Sequence, residues 1–246
     1  MLAPITIRYA FRPVARSLAT GQVADLFGLA SQEPSHTITE GLVLDVRPGD
    51  VVLFTGPSGS GKSSLMREVG RQLGAVDIAT RELPEVPLID ALGGTVEERL
   101  ALLAACGLSE ARLLLRTPAE LSDGQRYRFR IAHGFASGAR VLALDEFTAA
   151  LDRTLAKVVA FNVRKLARRT GVGIFAATTH DDIADDLDPD LHVTCREGEI
   201  EATRREAKKN GSPSHRNSGS PGAPVPTGRT SLGGITVPTT SPSPAA

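Results

Sequence analysis

One loop restricts this chain more than any other stretch. Val51 to Thr55 are consecutive apolar or β-branched residues, the signature of a buried strand. Gly56-Pro57-Ser58-Gly59-Ser60-Gly61-Lys62-Ser63 follows and matches G-x-x-x-x-G-K-[ST] in full, with Ser64 directly after it. From Leu65 the spacing turns helical, since Leu65, Val69 and Leu73 recur every four residues. A strand, a glycine-rich loop and a helix in that order make a cradle for phosphate. Glycines let the backbone curl so that successive N–H groups converge, and the helix start adds its positive dipole end. The Lys62 ammonium can then reach the β- and γ-phosphates of a triphosphate, and the Ser63 hydroxyl can ligate Mg²⁺.

The 246 residues suit one α/β domain with a sizeable core. Lys plus Arg and Asp plus Glu balance at 28 each, so net charge selects no class of partner. Cys106 and Cys195 stand far apart and out of metal-ligand spacing, which predicts two buried free thiols in a reducing compartment. No run approaches the ~18 apolar residues of a membrane span. The first residues carry Arg8, Arg12 and Arg16 without a continuous apolar segment, so a secretion signal is not expected. A cytoplasmic, soluble protein is the expectation.

The patterning predicts a β/loop extension over residues 1–40, an α/β domain over 41–206 that carries the phosphate loop, and a disordered tail over 207–246. Ile5, Ile7, Tyr9 and Phe11 alternate with less apolar residues as a strand would, residues 24–30 suit a short helical turn, and Leu42 to Val46 suit a second strand. Arg47-Pro48-Gly49-Asp50 reads as the turn into the phosphate-loop strand. Two prolines mark Arg81 to Pro87 as an extended linker. Val96 to Ala105 and Ala111 to Leu115 look helical, with Gly107 as a stop signal, so residues 88–137 form a small helical subdomain. Ser122 or Asp123 can cap a helix reaching about Ser137. A helix with Leu155, Val158, Val159, Val163 and Leu166 on its apolar face closes at Gly171. Strands over Val172 to Thr179, His192 to Cys195 and Glu199 to Ala202 complete the series. The tail is rich in Ser, Pro, Gly and Thr and has no acidic or aromatic residue after Lys208.

A second constellation lies downstream. Val141 to Leu144 form an apolar strand ending in Asp145-Glu146. A carboxylate at that end can hold Mg²⁺, and its neighbour can polarise an attacking water. Asp145 is therefore assigned to the metal and Glu146 to general-base work. His180 ends another apolar strand, where the carboxyl ends of parallel strands gather and ligands bind.

In order, these motifs resemble the ATP-binding-cassette (ABC) ATPase family over roughly residues 40–202. GPSGSGKS looks like its phosphate loop and LSDGQ at 121–125 like its LSGGQ signature, with Asp123 in place of the first glycine. VLALDE resembles the Walker B strand, ALD at 150–152 the D-loop and His180 the switch histidine. The resemblance implies a P-loop fold with a mostly parallel sheet, a small antiparallel β layer and a reduced helical subdomain. It also implies ATP and Mg²⁺ as ligands and a head-to-tail homodimer with ATP sandwiched between two copies. Ser122, Gly124 and Gln125 would then serve the γ-phosphate bound by the other copy, Asp152 would work across the interface, and His180 would sense the γ-phosphate.

Several departures qualify the match. Only about 60 residues separate Lys62 from Leu121, short for the family. No glutamine stands at the expected Q-loop, where Glu82 or Glu85 are substitutes. Tyr9, Phe11 and Phe27 are the candidates for stacking on adenine. ELSDGQRYRFRIA, DEF and ATTHDD are most similar to soluble ABC-type ATPases sometimes fused to a predicted acetyltransferase domain, for which this chain has no room. The leading expectation is an ATPase that uses hydrolysis to drive a conformational change, with an unidentified protein partner. The alternatives are the nucleotide-binding subunit of a transporter docking on a separate membrane protein, and a DNA-associated clamp. Arg126, Arg128 and Arg130 suit a solvated or intersubunit face, and nothing else in the sequence supports nucleic acid.

Overall fold

The strand that leads into the phosphate loop has no solvent-facing side. In the computed structural model, which describes residues 2–10, 17–28, 35–196 and 199–205, all five residues of β3 (Val51–Thr55) are buried. Such a strand needs cover on both faces, the usual state of a parallel sheet. It sits inside a six-stranded sheet ordered β4-β5-β6-β3-β7-β8, comprising β4 (Val76–Asp77), β5 (Val141–Leu144), β6 (Gly173–Thr178), β7 (Leu191–Arg196) and β8 (Glu199–Arg204). Every pair is parallel except β7 with β8, which closes the edge antiparallel.

Alternation along the strands divides the core in two. Val51, Leu53, Leu142, Leu144, Ile174 and Ala176 face one side. They pack there against α3 (Val96–Ala105), α5 (Asp123–Ala136) and α6 (Arg153–Thr170) through Leu103, Phe129, Ile131, Val159 and Val163. Val52, Phe54, Ala143, Phe175 and Ala177 face the other side, against Leu65, Met66 and Val69 of α2 (Lys62–Leu73). Phe54 and Phe175 meet edge-on there with ring centres 6.4 Å apart.

A separate two-stranded antiparallel sheet joins β1 (Ile5–Ala10) to β2 (Ser35–Leu42), with α1 (Leu18–Leu26) between them in sequence. Two expectations are corrected here. The second strand is Ser35–Leu42, not Leu42 to Val46. Leu42 closes that ladder opposite Ile5, whereas Leu44 and Val46 continue the alternation by packing into the core cluster of Ile5 and Phe54 outside any strand. The helix predicted over 24–30 begins earlier, at Leu18, because Ser17 Oγ caps it by accepting the Thr20 N–H (3.2 Å). Phe11 and residues 29–34 lie outside the described residues, as does everything from residue 206.

The linker over 81–87 leads to α3, which Thr95 and Glu98 start with a reciprocal capping box. A short α4 (Ala111–Leu114) and a 3₁₀ turn at Pro118–Glu120 precede α5. On α6, Val158 lies off the buried face at 48% exposure, since Leu155, Val159, Val163 and Leu166 already fill the inward stripe. A last short helix, α7 (Ala184–Leu187), leads to β7. Among the described residues no helix is long and apolar enough to cross a membrane, and both cysteines are buried and free.

Candidate nucleotide-binding site

Register brings the chemistry to one edge. Thr55 pairs with Thr178 and Leu144 with Ala176. The phosphate loop, Asp145-Glu146 and the Thr179-His180 turn therefore all leave the sheet at the carboxyl ends of adjacent strands, where open α/β sheets bind ligands.

The loop has the expected backbone. Gly56, Gly59 and Gly61 take φ of 143°, 81° and 86°. A Cβ at Gly56 would run into the Cys195 carbonyl oxygen, and one at Gly61 would lie 2.6 Å from Ile38 of β2. Glycine is needed at both positions because other chain already occupies the space. The start of α2 has no side-chain cap, so its first N–H groups face the loop without an internal acceptor. Ser60 Oγ is buried without a partner. Lys62 is 9% exposed as a residue, and its ammonium folds back to donate to the Pro57 carbonyl at 3.0 Å. A cradle of free N–H groups, an orphaned hydroxyl and a lysine held by one carbonyl fits a polyphosphate.

Ser63 Oγ donates to Asp145 Oδ1 at 2.8 Å, joining residues far apart in sequence. The Glu146 N–H donates to the same oxygen (3.0 Å), and the Tyr127 hydroxyl donates to the Asp145 carbonyl (3.2 Å). Burial, reinforced by the Asp145, Asp77 and Glu146 charges, pushes the Tyr127 phenol well above its ordinary range, so it stays protonated as a donor. Among the described residues no group of three His, Cys, Asp or Glu forms a metal cage. One hydroxyl and one carboxylate do fit Mg²⁺, which commonly takes few protein oxygens and completes its shell with phosphates and water. Glu146 is exposed, and its backbone sits at φ 51°, with Thr148 at φ 67°. Left-handed backbone at two non-glycine residues costs about 1–3 kcal/mol each and concentrates at working sites. His180 is half-buried, its N–H bonded to Thr178 Oγ1 at 3.1 Å. Arg153, which follows Asp152, pairs with Asp182, two residues beyond His180.

The signature segment is more self-contained than its sequence suggests. Ser122 caps α5 by accepting the Gln125 N–H (3.3 Å), and Gln125 Oε1 accepts the Ser122 N–H (3.1 Å). Gly124 is required because a Cβ there would lie 2.9 Å from the Ala150 carbonyl of the same chain. Asp123 does not cap the helix. Its carboxylate is 94% exposed and reaches Arg126 at 3.3 Å.

Of the two settings expected for Arg126, Arg128 and Arg130, the solvated one does not hold. Arg126 donates to the Pro118 and Leu121 carbonyls (3.1 and 2.9 Å). Arg128 donates to Gly124 (3.1 Å) and Gly107, and Arg130 to Ile78 (2.9 Å) and Arg81. They tie the linker, the 3₁₀ turn and α5 together instead of forming a solvated face.

Tyr9 is 46% exposed and its hydroxyl touches Ser64 Oγ, beside the first turn of α2, whereas Phe27 stands 74% exposed just past the end of α1. Glu82 and Glu85 are exposed on the linker. Sequence reasoning missed two neighbours of the site, Tyr127 and Arg67, whose guanidinium pairs with Asp145 Oδ2 at 2.8 Å. The Ser63-to-Arg67 spacing of one helical turn was the available signal.

No protein-family profile matches the chain. It is 30% identical over 212 residues to the spermidine/putrescine import ATP-binding protein PotA of Photobacterium profundum, covering 73% of this chain and 57% of that protein. It is also 30% identical over 205 residues to the lipoprotein-releasing system ATP-binding protein LolD of Novosphingobium aromaticivorans, covering 67% of this chain and 90% of LolD. The chain belongs to the ABC ATP-binding cassette family. The cassette spans little more than half the length of PotA. Its fold resembles that of an ATP-binding cassette solved as a dimer in a post-hydrolysis state with ADP and Pi. That match has a TM-score of 0.56 at 19% identity and covers 72% of this chain and 94% of the other.

Proposed function

We propose that this cassette binds ATP with Mg²⁺ on the loop from Gly56 to Ser64 and hydrolyses it between two copies of the chain. The carrying observation is the Ser63–Asp145 hydrogen bond at 2.8 Å, which joins the phosphate loop to the acidic strand end. Ser63 and Asp145 would hold Mg²⁺, which when bound neutralises charge on the phosphate oxygens. Lys62 exchanges the Pro57 carbonyl for phosphate oxygens. Glu146, solvent-facing beside Asp145, orients the attacking water and takes its proton. Ser122, Gly124 and Gln125 act on the nucleotide of the second copy through the N-terminal end of α5, because the Ser122 and Gln125 side chains are committed to the cap. Asp152 sits between the two copies and His180 reads the γ-phosphate. Tyr9 stacks on the base, a reading supported by its hydroxyl contact with Ser64 next to the phosphate loop.

Within the family, the wording of ELSDGQRYRFRIA, DEF and ATTHDD supports placement beside soluble ATPases of the kind sometimes fused to a predicted acetyltransferase domain. A second reading, a subunit docking on a membrane protein, is favoured by the transport systems named for PotA and LolD. It is also favoured by a groove of about 510 Å³ lined by Leu83, Pro84, Glu85, Thr117, Pro118 and Ala119, above Arg126 and Arg130.

Phosphate release from MgATP tests the first reading. The wild-type chain is expected to turn over, and Glu146→Gln to lose at least about a hundredfold while retaining nucleotide binding, the scale of general-base loss. Equal rates for the two would remove Glu146 from the chemistry.

A further inference from the structure

Asp145 carries one bond more than the phosphate-loop chemistry requires. Its Oδ1 accepts from Ser63 Oγ and from the Glu146 N–H. Its Oδ2 accepts from the Arg67 guanidinium at 2.8 Å. Arg67 lies on α2 four residues after Ser63, so both side chains point from one helical face toward the same carboxylate. The two partners differ in exposure: the Arg67 side chain is 64% exposed and that of Asp145 is 15%. The guanidinium is anchored at its tip only and swings into water without leaving a buried cation behind. Asp145 cannot move in the same way, because Ser63 and the Glu146 N–H hold it.

A divalent cation at Ser63 and Asp145 would share this carboxylate with a guanidinium. Two positive charges within a few ångströms repel strongly in a partly enclosed site. Oδ1 already accepts two bonds, so the capacity left for a metal-bound water is at Oδ2, on the side Arg67 occupies. Resting on the assignment of Ser63 and Asp145 as the Mg²⁺ holders, we infer that Arg67 is a resident counter-ion of Asp145 that the incoming metal displaces. The guanidinium thereby sets the metal threshold of the site. It also compensates Asp145 before metal arrives, so that the nucleotide's phosphates do not meet an unpaired carboxylate.

This gives Arg67→Met two effects of opposite sign. Binding of a fluorescent ATP analogue in EDTA weakens, because Asp145 is left uncompensated. The free Mn²⁺ that half-saturates the nucleotide-bound protein, read by electron paramagnetic resonance, falls. Each change is expected at roughly two- to tenfold, the range of a partly exposed ion pair. Arg67→Lys, which keeps the charge, stays near wild type in both measurements. Thermal unfolding without ligand should barely move, given the exposure of Arg67. If Mn²⁺ and metal-free nucleotide binding weaken together, Arg67 merely orders Asp145 and the inference is overturned. Unchanged values in both overturn it as well. A wild-type chain that shows no Mn²⁺ binding with nucleotide overturns the proposed function itself, and that result appears before any substitution is made.

Discussion

Asp145 collects its partners from three directions: Ser63 and Arg67 on α2, Tyr127 on α5 and the N–H of its own neighbour. An ordinary carboxylate becomes specific here because both its oxygens and its backbone carbonyl have assigned donors, Oδ1 two and Oδ2 one. Away from the site, His133 has a different predicament. It stacks on Phe129 with ring centres 6.0 Å apart, and its Nδ1 is buried without a partner. Burial first, then the Arg81 and Arg130 charges, hold its pKa below the usual 6.5. A histidine kept neutral in the folded chain lends stability above its unfolded pKa and withdraws it as pH falls below that value. Thermal unfolding across pH 5 to 8 should therefore show a decline below about 6.5 that His133→Gln makes shallower. An identical slope in the variant would assign the decline elsewhere, with His192, also lowered by burial, as the next residue to replace.

At the level of elements, α5 shows how a motif can have two reasons to exist. Its Ser and Gln form a capping box, and its Gly admits the Ala150 carbonyl. Ser122→Ala should cost about 1 kcal/mol of stability, the typical value of an N-cap. Gly124→Ala should cost about 1–3 kcal/mol, because the added methyl forces backbone apart. Denaturant unfolding of the two variants checks the ranking, and a Gly124→Ala chain as stable as wild type would contradict the close approach.

The main elements were legible in the chain. The caps, glycine stops and four-residue spacing of α2, α3, α5 and α6 are local signals, and local signals bound helices well. The strands β3, β5 and β6 announced themselves as apolar runs, and β7 with β8 as a closing hairpin. What stayed hidden depends on packing across sequence. The period-two burial of Leu44 and Val46, just past β2, imitates a strand. The arginines of α5 look solvent-bound until the carbonyls of remote loops are in place. For the site, the residue types and their edge of the sheet were readable from motif order. The Arg67 and Tyr127 contacts required the register that sets β5 beside α2 and α5.

For the whole molecule, the parallel sheet is the organising device. Its amino-terminal edge is locked by Arg164, which forms a two-pronged pair with Asp190 (2.5 and 2.7 Å) while Asp190 also accepts the Val51 N–H (2.9 Å). The opposite edge is left to the glycine loop, the strained Glu146–Thr148 segment and the His180 turn. Ion-paired side chains at one end and glycine-rich, strained backbone at the other suit a cassette that closes on a ligand. In the proposed function, closure joins two copies around nucleotide. Sedimentation of the Glu146→Gln chain with MgATP measures it directly. The expected result is a shift from the mass of one chain to that of two, with one nucleotide retained per chain and reversal when ATP is removed. A Glu146→Gln chain that binds ATP fully and still sediments as a single copy would contradict the account.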